Sequence, residues 1–348
     1  MNINKEEYIR DIKGKFSAEN IESCLEKLKS LSVLIIGDAI IDEYVFVQPK
    51  GRAIKDTILS VEYKGREVYA GGVLAISRHI RDYVKKIKLV TLLGDHKTKI
   101  DFIKNSLLDG IELEAFTKEN SPTILKKRYV DYYKNNKLFK IEYMDDSPIS
   151  SSLTEDIVNY LRKELPEYDL VIVGDFGHGF INNAIRDVIG EKSKFLSINV
   201  QSNSANMGYN YINHYKSPDF AVINEEELRL PLMRRFEELQ DVVREFHNAF
   251  KYKRFLVTLG KRGCIFFNKG DMCKAPILTN KVLDTVGAGD AVFAITSLFA
   301  YINADDLLMP FIANCAGGIK VMYMGNKESI TKERLLNFIK KVYENELE

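Results

Sequence analysis

Short, continuous apolar runs alternate with longer segments of helical periodicity along most of the chain. The first run spans residues 31–36 and ends in Gly37-Asp38. Segments in which apolar residues follow helical spacing, such as 153–165 and 236–250, separate most of the runs. The later runs occupy residues 87–93, 170–174, 195–200, 220–223 and 255–259. This alternation predicts an α/β fold with a mainly parallel sheet and helices on both faces.

Two stretches depart from the alternation. Residues 44–69 and 111–143 contain pairs of strand-like runs that are rich in aromatic residues. We predict that they form one small β lobe that covers a ligand crevice as a lid. Residues 1–30 have helical spacing and no recognisable chemistry, so we predict a helical N-terminal extension before a domain that spans residues 31–345.

Polar residues and glycines follow nearly every predicted strand. In an open α/β sheet, ligands bind outside the carboxyl ends of the strands, so these residues are expected to surround one crevice. They are Asp38, Gly94-Asp95, Asp175, Gln201-Ser202, Asn224 and Gly260-Lys261. We leave open whether Asp175 contacts a ligand or caps a turn, and we expect a structural role for the nearby His178.

Residues 284–290, Asp-Thr-Val-Gly-Ala-Gly-Asp, form a glycine turn before a long apolar helical pattern. Gly287 and Gly289 allow the backbone to present its N–H groups, and the following helix adds the positive end of its dipole. Such a turn binds anions. A carboxylate at its edge, Asp290, is suited to removing a proton from a hydroxyl that attacks a bound phosphate. The alternative is an ordinary turn in which Asp290 caps the helix.

Composition excludes several classes of protein. The 348 residues are 45% hydrophobic and carry 50 basic and 49 acidic side chains, which gives no global charge for binding nucleic acid or a membrane surface. Four cysteines lie far apart with no Cys-x-x-Cys pair, so we expect reduced thiols and a cytoplasmic protein. No signal sequence or apolar run of membrane-spanning length is evident.

The glycine turn resembles the Asp-Thr-x-Gly-Ala-Gly-Asp signature of the ribokinase-like (PfkB-type) carbohydrate kinases. The resemblance implies a three-layer α/β fold and transfer of a phosphoryl group from ATP to a sugar. It implies that Gly287, Ala288 and Gly289 hold the phosphates and that Asp290 is the catalytic base. It also implies Mg²⁺ and allows for a monovalent cation as a further cofactor.

Other motifs follow in the order that this family shows, over about residues 31–345. The resemblance assigns substrate binding to Asp38, Asp42, Gly71 and Gly72. Its Asn-x-x-Glu motif matches residues 224–227 and makes Glu227 the metal residue. The nucleotide-binding residues that the resemblance implies are Asn224, Thr258, Gly260, Gly263, Asp284, Thr285 and Asn314.

Within the family, the likeness extends furthest to the kinase domain of the bifunctional ADP-heptose synthases. That domain phosphorylates D-glycero-D-manno-heptose 7-phosphate for lipopolysaccharide biosynthesis. Residues 37–44 are similar to its Gly-Asp-x-x-x-Asp-x-Tyr motif, and Lys126 and Arg128 are similar to its basic lid residues. With Lys140, they are predicted to share one strand face and to bind a phosphorylated substrate. A solvated edge with gatekeeping charges is the alternative.

The chain departs from the family pattern at two places that bear on the acceptor. Val73-Leu74-Ala75 replaces the asparagine expected after Gly72, and residues 199–204 replace an Asp-Pro-Lys motif. Two alternatives therefore remain. One is another acceptor, such as a nucleoside, ribose or fructose phosphate, and the other is a catalytically weak protein that binds a sugar nucleotide.

We expect a homodimer through the lid and allow for a separate nucleotidyltransferase partner. No role is evident for residues 203–215.

Overall fold

The computed structural model describes residues 3–203 and 206–346. Twelve β-strands form within these residues. They are β1 (Ser32–Arg52), β2 (Leu59–Gly72), β3 (Lys86–His96), β4 (Ile111–Pro122), β5 (Leu125–Asp131), β6 (Lys137–Tyr143), β7 (Leu170–Asp175), β8 (Leu196–Val200), β9 (Phe220–Asn224), β10 (Arg254–Thr258), β11 (Cys264–Asn268) and β12 (Asp271–Ala275).

Eleven α-helices lie within the same part of the chain. They are α1 (Lys5–Lys15), α2 (Ala18–Glu26), α3 (Val73–Ile80), α4 (Ile100–Ser106), α5 (Ser151–Glu164), α6 (Asn183–Lys192), α7 (Glu225–Arg229), α8 (Leu239–Phe250), α9 (Ala288–Tyr301), α10 (Leu308–Val321) and α11 (Lys332–Tyr343). None of the helices in the described residues is both long and apolar enough to cross a membrane.

Nine strands form the main sheet in the order β12-β11-β10-β9-β8-β7-β1-β3-β4. The strands from β10 to β4 run parallel, and β11 and β12 extend the edge as antiparallel strands. One apolar core contains residues of α3, α9 and α10, and a second contains residues of α5, α6 and α8. The predicted three-layer α/β fold with helices on both faces is confirmed.

The lid is a second sheet that shares β1 with the main sheet. Residues 32–38 of β1 pair in the main sheet, and from Ala39 onward the same strand pairs antiparallel with β2. It also pairs parallel with β5, which in turn pairs with β6. The lid sheet therefore has the order β2-β1-β5-β6, and one continuous strand connects it rigidly to the main sheet.

One part of the predicted lid is wrong. Residues 111–122 do not belong to the lobe, because β4 pairs parallel with β3 at the edge of the main sheet. The short helix α4 provides the crossover that a parallel pair requires. The aromatic composition of the segment had suggested a lobe strand, yet it lies on the main sheet because the preceding βα unit positions it there.

The two N-terminal helices pack on the body of the protein. Ile9 and Ile12 of α1 belong to the core on the α9–α10 face of the sheet. The Nζ of Lys5 donates to the carbonyl oxygen of Leu278 at 2.7 Å. Lys332 of α11 forms an ion pair with Glu26 of α2 at 2.5 Å. In the described residues, this segment is thus joined to the same core as α11.

Candidate active site

The glycine turn leads directly into α9. Gly287 is the N-cap and has a φ of 78°, a left-handed conformation that residues with a Cβ adopt only at a cost. The first N–H groups of a helix have no acceptor within it and carry the positive end of the dipole, and Gly289 lies in this turn. The N–H of Ala288, in contrast, donates to the carbonyl oxygen of Thr285 at 3.2 Å. The turn can hold an anion, with Ala288 contributing least.

The carboxylate of Asp290 lies in the first turn of α9 and is 7% exposed. The side-chain amide of Gln201 donates to its Oδ1 at 2.7 Å, and the same amide nitrogen donates to Oδ1 of Asn199 at 3.0 Å. Burial raises the pKa of Asp290 to about 6, while the hydrogen bond from Gln201 acts to lower it. Such a carboxylate is ionised at pH 7 and still basic enough to accept a proton. Asp290 has the properties of a general base.

The resemblance implies that Asp284 contacts the nucleotide, but its carboxylate is hydrogen-bonded to the lid and to Gly325 instead. Its Oδ1 accepts a hydrogen bond from Nζ of Lys137 at 2.5 Å, and its Oδ2 accepts from the hydroxyl of Tyr44 at 2.8 Å and the N–H of Gly325 at 2.9 Å. Although burial acts to raise the pKa of Asp284, Lys137 and these other donors hold it below its ordinary value. Both oxygens are engaged, so Asp284 anchors the glycine turn to the lid rather than facing a ligand.

A cavity of about 560 Å³ lies beside the glycine turn. Its size suits a small-molecule or cofactor ligand, and residues such as Val222, Ile277 and Val321 give it an apolar wall. All four predicted catalytic residues, from Gly287 to Asp290, contribute to its lining. The predicted nucleotide-binding residues that line the same cavity are Asn224, Thr258, Gly260, Gly263, Thr285 and Asn314. The structure thus brings them together, with Asp284 as the exception.

Glu227 lies on this cavity as part of a capping box at the start of α7. The Oδ1 of Asn224 accepts from the N–H of Glu227 at 2.8 Å, and Oε2 of Glu227 accepts from the N–H of Asn224 at 3.1 Å. Its Oε1 accepts from the N–H of Ser202 at 3.0 Å. Burial raises the pKa of Glu227 to about 7, although these backbone donors act to lower it. Glu227 is fixed in position, and its carboxylate is accessible from the cavity.

Glu227 is the one carboxylate that the resemblance assigns to a metal ion. Within residues 3–203 and 206–346, no group of three or more His, Cys, Asp or Glu side chains is arranged to hold a metal. Mg²⁺ keeps several waters and is usually held by one or two carboxylates together with substrate phosphates. One oriented carboxylate on a nucleotide-sized cavity therefore fits a magnesium ion that arrives with the nucleotide.

Asp38, Asp42, Gly71 and Gly72 form the second group of predicted site residues, and the pairing of β1 with β2 brings them together. A Cβ on Gly71 would lie 3.2 Å from Cγ of Asp42, and one on Gly72 would overlap the carbonyl oxygen of Asp38. Gly72 also has a positive φ of 58°. Glycine at both positions is required for β2 to approach the two aspartates this closely.

Asp38 ends the part of β1 that lies in the main sheet and is 2% exposed. Its Oδ2 accepts a hydrogen bond from the N–H of Phe176 at 3.0 Å. Burial, followed by the charge of Asp175, raises the pKa of Asp38 to about 7. At neutral pH the carboxyl group is therefore present in both protonation states, and it can accept from or donate to a sugar hydroxyl.

Lys126, Arg128 and Lys140 share one face of the lid sheet, since Arg128 and Lys140 are cross-strand partners and Lys126 lies two residues before Arg128. Arg128 forms an ion pair with Asp42, and Nζ of Lys126 lies 3.8 Å from Oε1 of Glu142. Lys126 is only 8% exposed, and burial lowers its pKa. Lys126 and Arg128 therefore lie on an interior wall, whereas the alternative of a solvated edge holds for Lys140, which is exposed and pairs with Glu142 at 2.9 Å.

His178, which follows β7, is adjacent to these cations. It is 2% exposed, and neither ring nitrogen has a hydrogen-bond partner among the residues that the structure describes. Burial, followed by the charges of Lys126 and Lys140, lowers the pKa of His178 to about 3, so the ring is neutral. A buried structural histidine normally satisfies its ring nitrogens. The expectation of a structural role thus does not account for its surroundings.

Asp175 and the loop after β8 have a structural role. The Oδ2 of Asp175 accepts from the hydroxyl of Tyr215 at 2.9 Å and from Arg186 at 3.2 Å. Its Oδ1 accepts from the side-chain amide of Asn210 at 3.1 Å, and the amide of Asn206 donates to the carbonyl oxygen of Phe176 at 2.8 Å. The loop, of which residues 204 and 205 lie outside the described part, braces the end of β7.

Sequence reasoning missed one residue that a simple signal marks. Gln201 follows β8 directly, at the carboxyl end of a parallel strand, yet no role was assigned to it. The departure at Val73-Leu74-Ala75 has a plain structural result, because these residues begin α3 and are fully packed in the core. The other departure, at residues 199–204, supplies the side chain that holds the base.

Comparison with known proteins agrees with this geometry. A bifunctional protein HldE of Rhodopseudomonas palustris is 23% identical over 308 residues, which are 84% of this chain and 60% of that protein. The chain spans less than two thirds of the length of such curated relatives. A ribokinase of Arabidopsis thaliana, solved with ribose and ATP, superposes with a TM-score of 0.65 at 19% identity, covering 89% of this chain and 99% of that one. Tetrameric phosphofructokinase-2 of Escherichia coli superposes with a TM-score of 0.69 at 12% identity, covering 90% and 99%.

These likenesses establish a ribokinase-like fold. The sequence model of the pfkB family carbohydrate kinases matches residues 32–301, which include the start of β1 and all of the glycine turn. That match covers well over half of the chain, and it includes Asp290 and the residues of the cavity as far as Val292. The chain therefore belongs to the pfkB family of carbohydrate kinases and is an ATP-using phosphotransferase that acts on a sugar.

Proposed function

We propose that the protein transfers the γ-phosphoryl group of ATP to a hydroxyl of a sugar phosphate, with a heptose 7-phosphate as the first acceptor to test. One observation carries this proposal: Lys126 is buried in the acceptor site next to His178, whose ring nitrogens have no partner among the described residues. A phosphate on the acceptor would accept from the ammonium and from the imidazole. An uncharged sugar would leave that ammonium with only the carboxylate of Glu142, whose Oε1 lies 3.8 Å from its Nζ.

The relatives support the same direction without deciding it. The matched part of the bifunctional HldE proteins and the resemblance to heptose 7-phosphate kinases favour a heptose phosphate of lipopolysaccharide biosynthesis. Phosphofructokinase-2, which has a similar fold, is named for a phosphorylated acceptor, whereas the ribokinase was solved with ribose. At identities of 12–23%, a different acceptor, such as a fructose phosphate, ribose or a nucleoside, remains the competing proposal.

In the proposed reaction, the carboxylate of Asp290 accepts the proton of the attacking hydroxyl while Gln201 holds that carboxylate in place. Asp38 and Asp42 orient the other hydroxyls of the acceptor. The amides of the glycine turn stabilise negative charge on the phosphoryl group as the acceptor oxygen approaches. The lid sheet is continuous with the main sheet through β1. An acceptor bound between the lid and the glycine turn would exclude water from the reaction.

Glu227 would hold Mg²⁺ through water together with the nucleotide phosphates. When bound, the ion would neutralise phosphate charge and orient the nucleotide. The side chains of Asn224 and Glu227 hold each other, so the carboxylate keeps its position without the ion.

We further propose a homodimer through the outer face of the lid sheet. The face opposite Lys126 combines exposed apolar side chains with the charged residues Glu43, Arg66 and Lys127, and the rings of Tyr129 and Phe139 stack on it at 4.5 Å. Its exposed apolar members are Tyr63, Val68, Phe139, Ile141 and Tyr143. A second copy of the same face would cover them.

We expect the enzyme to work in the cytoplasm, where a separate nucleotidyltransferase would use the product.

The experiment is an acceptor panel with ATP, Mg²⁺ and K⁺ present, followed by ADP release and by ³¹P NMR of the products. The panel contains D-glycero-D-manno-heptose 7-phosphate, fructose 6-phosphate, ribose, fructose and adenosine. We expect kcat/KM for phosphorylated acceptors to exceed that for their unphosphorylated forms by roughly 10- to 100-fold, because charge-assisted hydrogen bonds are lost without the phosphate. A preference for adenosine or free ribose would refute the acceptor proposal.

The alternative of a catalytically weak binding protein is separated by the same assay. Calorimetric binding of a sugar phosphate with no ADP release above the rate of ATP hydrolysis in water would favour it. The position of Gln201 on Asp290 speaks for a working base, since a binding protein has no need of one.

A further inference from the structure

Lys320 lies in the last turn of α10, where a lysine would ordinarily extend into solvent and interact with the helix dipole. Instead, Lys320 is only 1% exposed. Its Nζ has no hydrogen-bond partner in the part of the chain that the structure describes. A buried ammonium without a partner is costly, so its presence requires an explanation.

The end of the Lys320 side chain lies against the glycine turn. A Cβ placed on Gly287 would be 3.2 Å from Cε of Lys320 and would overlap Oδ1 of Asn326. That amide oxygen is also buried and without a partner among the described residues. A donor, Nζ of Lys320, and an acceptor, Oδ1 of Asn326, thus lie beside the turn that binds phosphate. Neither has a hydrogen-bond partner among the described residues.

The nearby carboxylates do not satisfy Lys320. Asp284 accepts from Lys137, Tyr44 and Gly325, and Asp290 accepts from Gln201. Both carboxylates lie close enough for their charges to oppose the effect of burial, which lowers the pKa of Lys320. The nearby negative charges favour the ammonium form, but they provide no hydrogen-bond acceptor for it within the described residues.

We propose that Lys320 is a further catalytic residue, whose ammonium donates to the phosphoryl group that is transferred at the glycine turn. This inference rests on the proposed function. In the transfer, the acceptor oxygen forms a bond to the γ-phosphorus, the bond from that phosphorus to the β-phosphate oxygen breaks, and the acceptor proton passes to Asp290. Lys320 keeps its protons and neutralises charge on the non-bridging oxygens of the transferred group.

The test is Lys320→Met, which keeps the length and apolar body of the side chain. The matched control is Lys88→Met. Lys88 is also a buried lysine, but its Nζ lies 3.0 Å from Glu112 and 3.1 Å from Glu164, at the opposite end of the sheet from the glycine turn. Three properties are measured for each: the Tm without ligand, kcat, and binding of Mg²⁺ with adenylyl imidodiphosphate or with AMP by calorimetry.

For Lys320→Met, we expect a Tm equal to or above that of the wild type, because a partnerless buried charge is removed. Affinity for adenylyl imidodiphosphate should fall roughly 10- to 100-fold, and affinity for AMP should stay within about twofold. The kcat should fall about 100- to 1,000-fold. Lys88→Met should lower the Tm, because two carboxylates lose their cation, and should leave nucleotide binding unchanged.

Two outcomes would overturn the inference. One is a kcat for Lys320→Met within about threefold of the wild type. The other is a lower Tm, as for Lys88→Met, with unchanged affinity for the triphosphate analogue, which would show a structural role. Because analogue binding needs no acceptor, these outcomes are distinct from failure of the acceptor proposal, in which the wild type binds the analogue but phosphorylates no sugar phosphate.

Discussion

The side-chain amide of Gln201 donates to Oδ1 of Asp290 at 2.7 Å, so the residue that follows β8 positions the carboxylate in the first turn of α9. Two opposing effects act on that carboxylate. Burial raises its pKa to about 6, and Gln201 limits the increase by stabilising the ionised form. The base is thereby both oriented and kept ionised near neutral pH.

Replacing Gln201 should therefore change the pH profile as well as the rate. For Gln201→Leu, we expect kcat/KM at pH 7 to fall by roughly tenfold. The acidic limb should move to higher pH, because the hydrogen bond that lowers the pKa of Asp290 is lost. The measurement is kcat/KM from pH 5 to 9, with Ser202→Ala as the control, since its hydroxyl donates to the carbonyl oxygen of Asn210 instead. An acidic limb identical to that of the wild type would contradict the role given to Gln201.

Asp290→Asn should remove turnover while the protein still binds nucleotide. We expect kcat to fall by about 100- to 10,000-fold, as is usual for loss of a general base. Binding of adenylyl imidodiphosphate, measured by calorimetry, should persist. Near wild-type phosphorylation by the purified variant would show that another group takes the proton.

The same variant should affect stability in a pH-dependent way. The folded-state pKa of Asp290, about 6, lies above the ordinary value of 3.8 that applies to the unfolded chain, so its contribution to stability is present below the unfolded pKa and lost as pH rises through 6. Asparagine does not titrate. The Tm of Asp290→Asn relative to the wild type should therefore increase between pH 5 and pH 8, and a difference that stays constant over this range would contradict the raised pKa.

Asp284 and Lys137 should contribute unequally to holding the glycine turn against the lid. Lys137 is partly exposed, so Lys137→Met is expected to change stability by no more than about 1 kcal/mol. Asp284→Ala leaves Tyr44, Gly325 and Lys137 without their acceptor, and we expect a loss of about 3 kcal/mol or more. Urea unfolding measures both. Equal losses would show that the ion pair, rather than the set of hydrogen bonds, holds the turn.

His178 should affect the acceptor and leave the fold intact. For His178→Phe, we expect an unchanged Tm, since neither ring nitrogen has a partner in the described structure, and about a tenfold rise in KM for a phosphorylated acceptor. The control is His79→Phe, because Nδ1 of His79 accepts from the N–H of Ile330 at 3.1 Å and its loss should lower the Tm. A lower Tm for His178→Phe with an unchanged KM would return His178 to a structural role.

The outer face of the lid sheet should mediate association of two copies. Ile141→Glu removes an exposed apolar side chain and places a charge between Phe139 and Tyr143, so it should convert a dimer to a monomer at micromolar concentration. Light scattering coupled to size exclusion measures the mass, and Lys137→Met serves as a control on the same strand. A wild-type protein that is monomeric over the measured range of concentrations would refute the dimer proposal.

Much of the fold was predictable because its signals are local. The buried parallel strands appear as short apolar runs, and β7 to β10 lie within a residue or two of the predicted positions. The segment 111–122 was misassigned, because whether a strand joins the main sheet or the lid depends on its pairing partner β3. Pairing partners are distant in sequence, and strand composition does not encode them.

The sequence alone predicted the chemistry at the glycine turn, because the spacing of Gly287, Gly289 and Asp290 is typical of an anion-binding backbone with a carboxylate beside it. Only the tertiary structure distinguished the two aspartates of that motif. Asp284 has both oxygens engaged by the lid and by Gly325, whereas Asp290 remains available on the cavity with one bond from Gln201. Lys320 likewise looks like an ordinary last-turn lysine until folding buries it against Gly287. Burial and long-range contact set charge and availability, and neither is a property of local sequence.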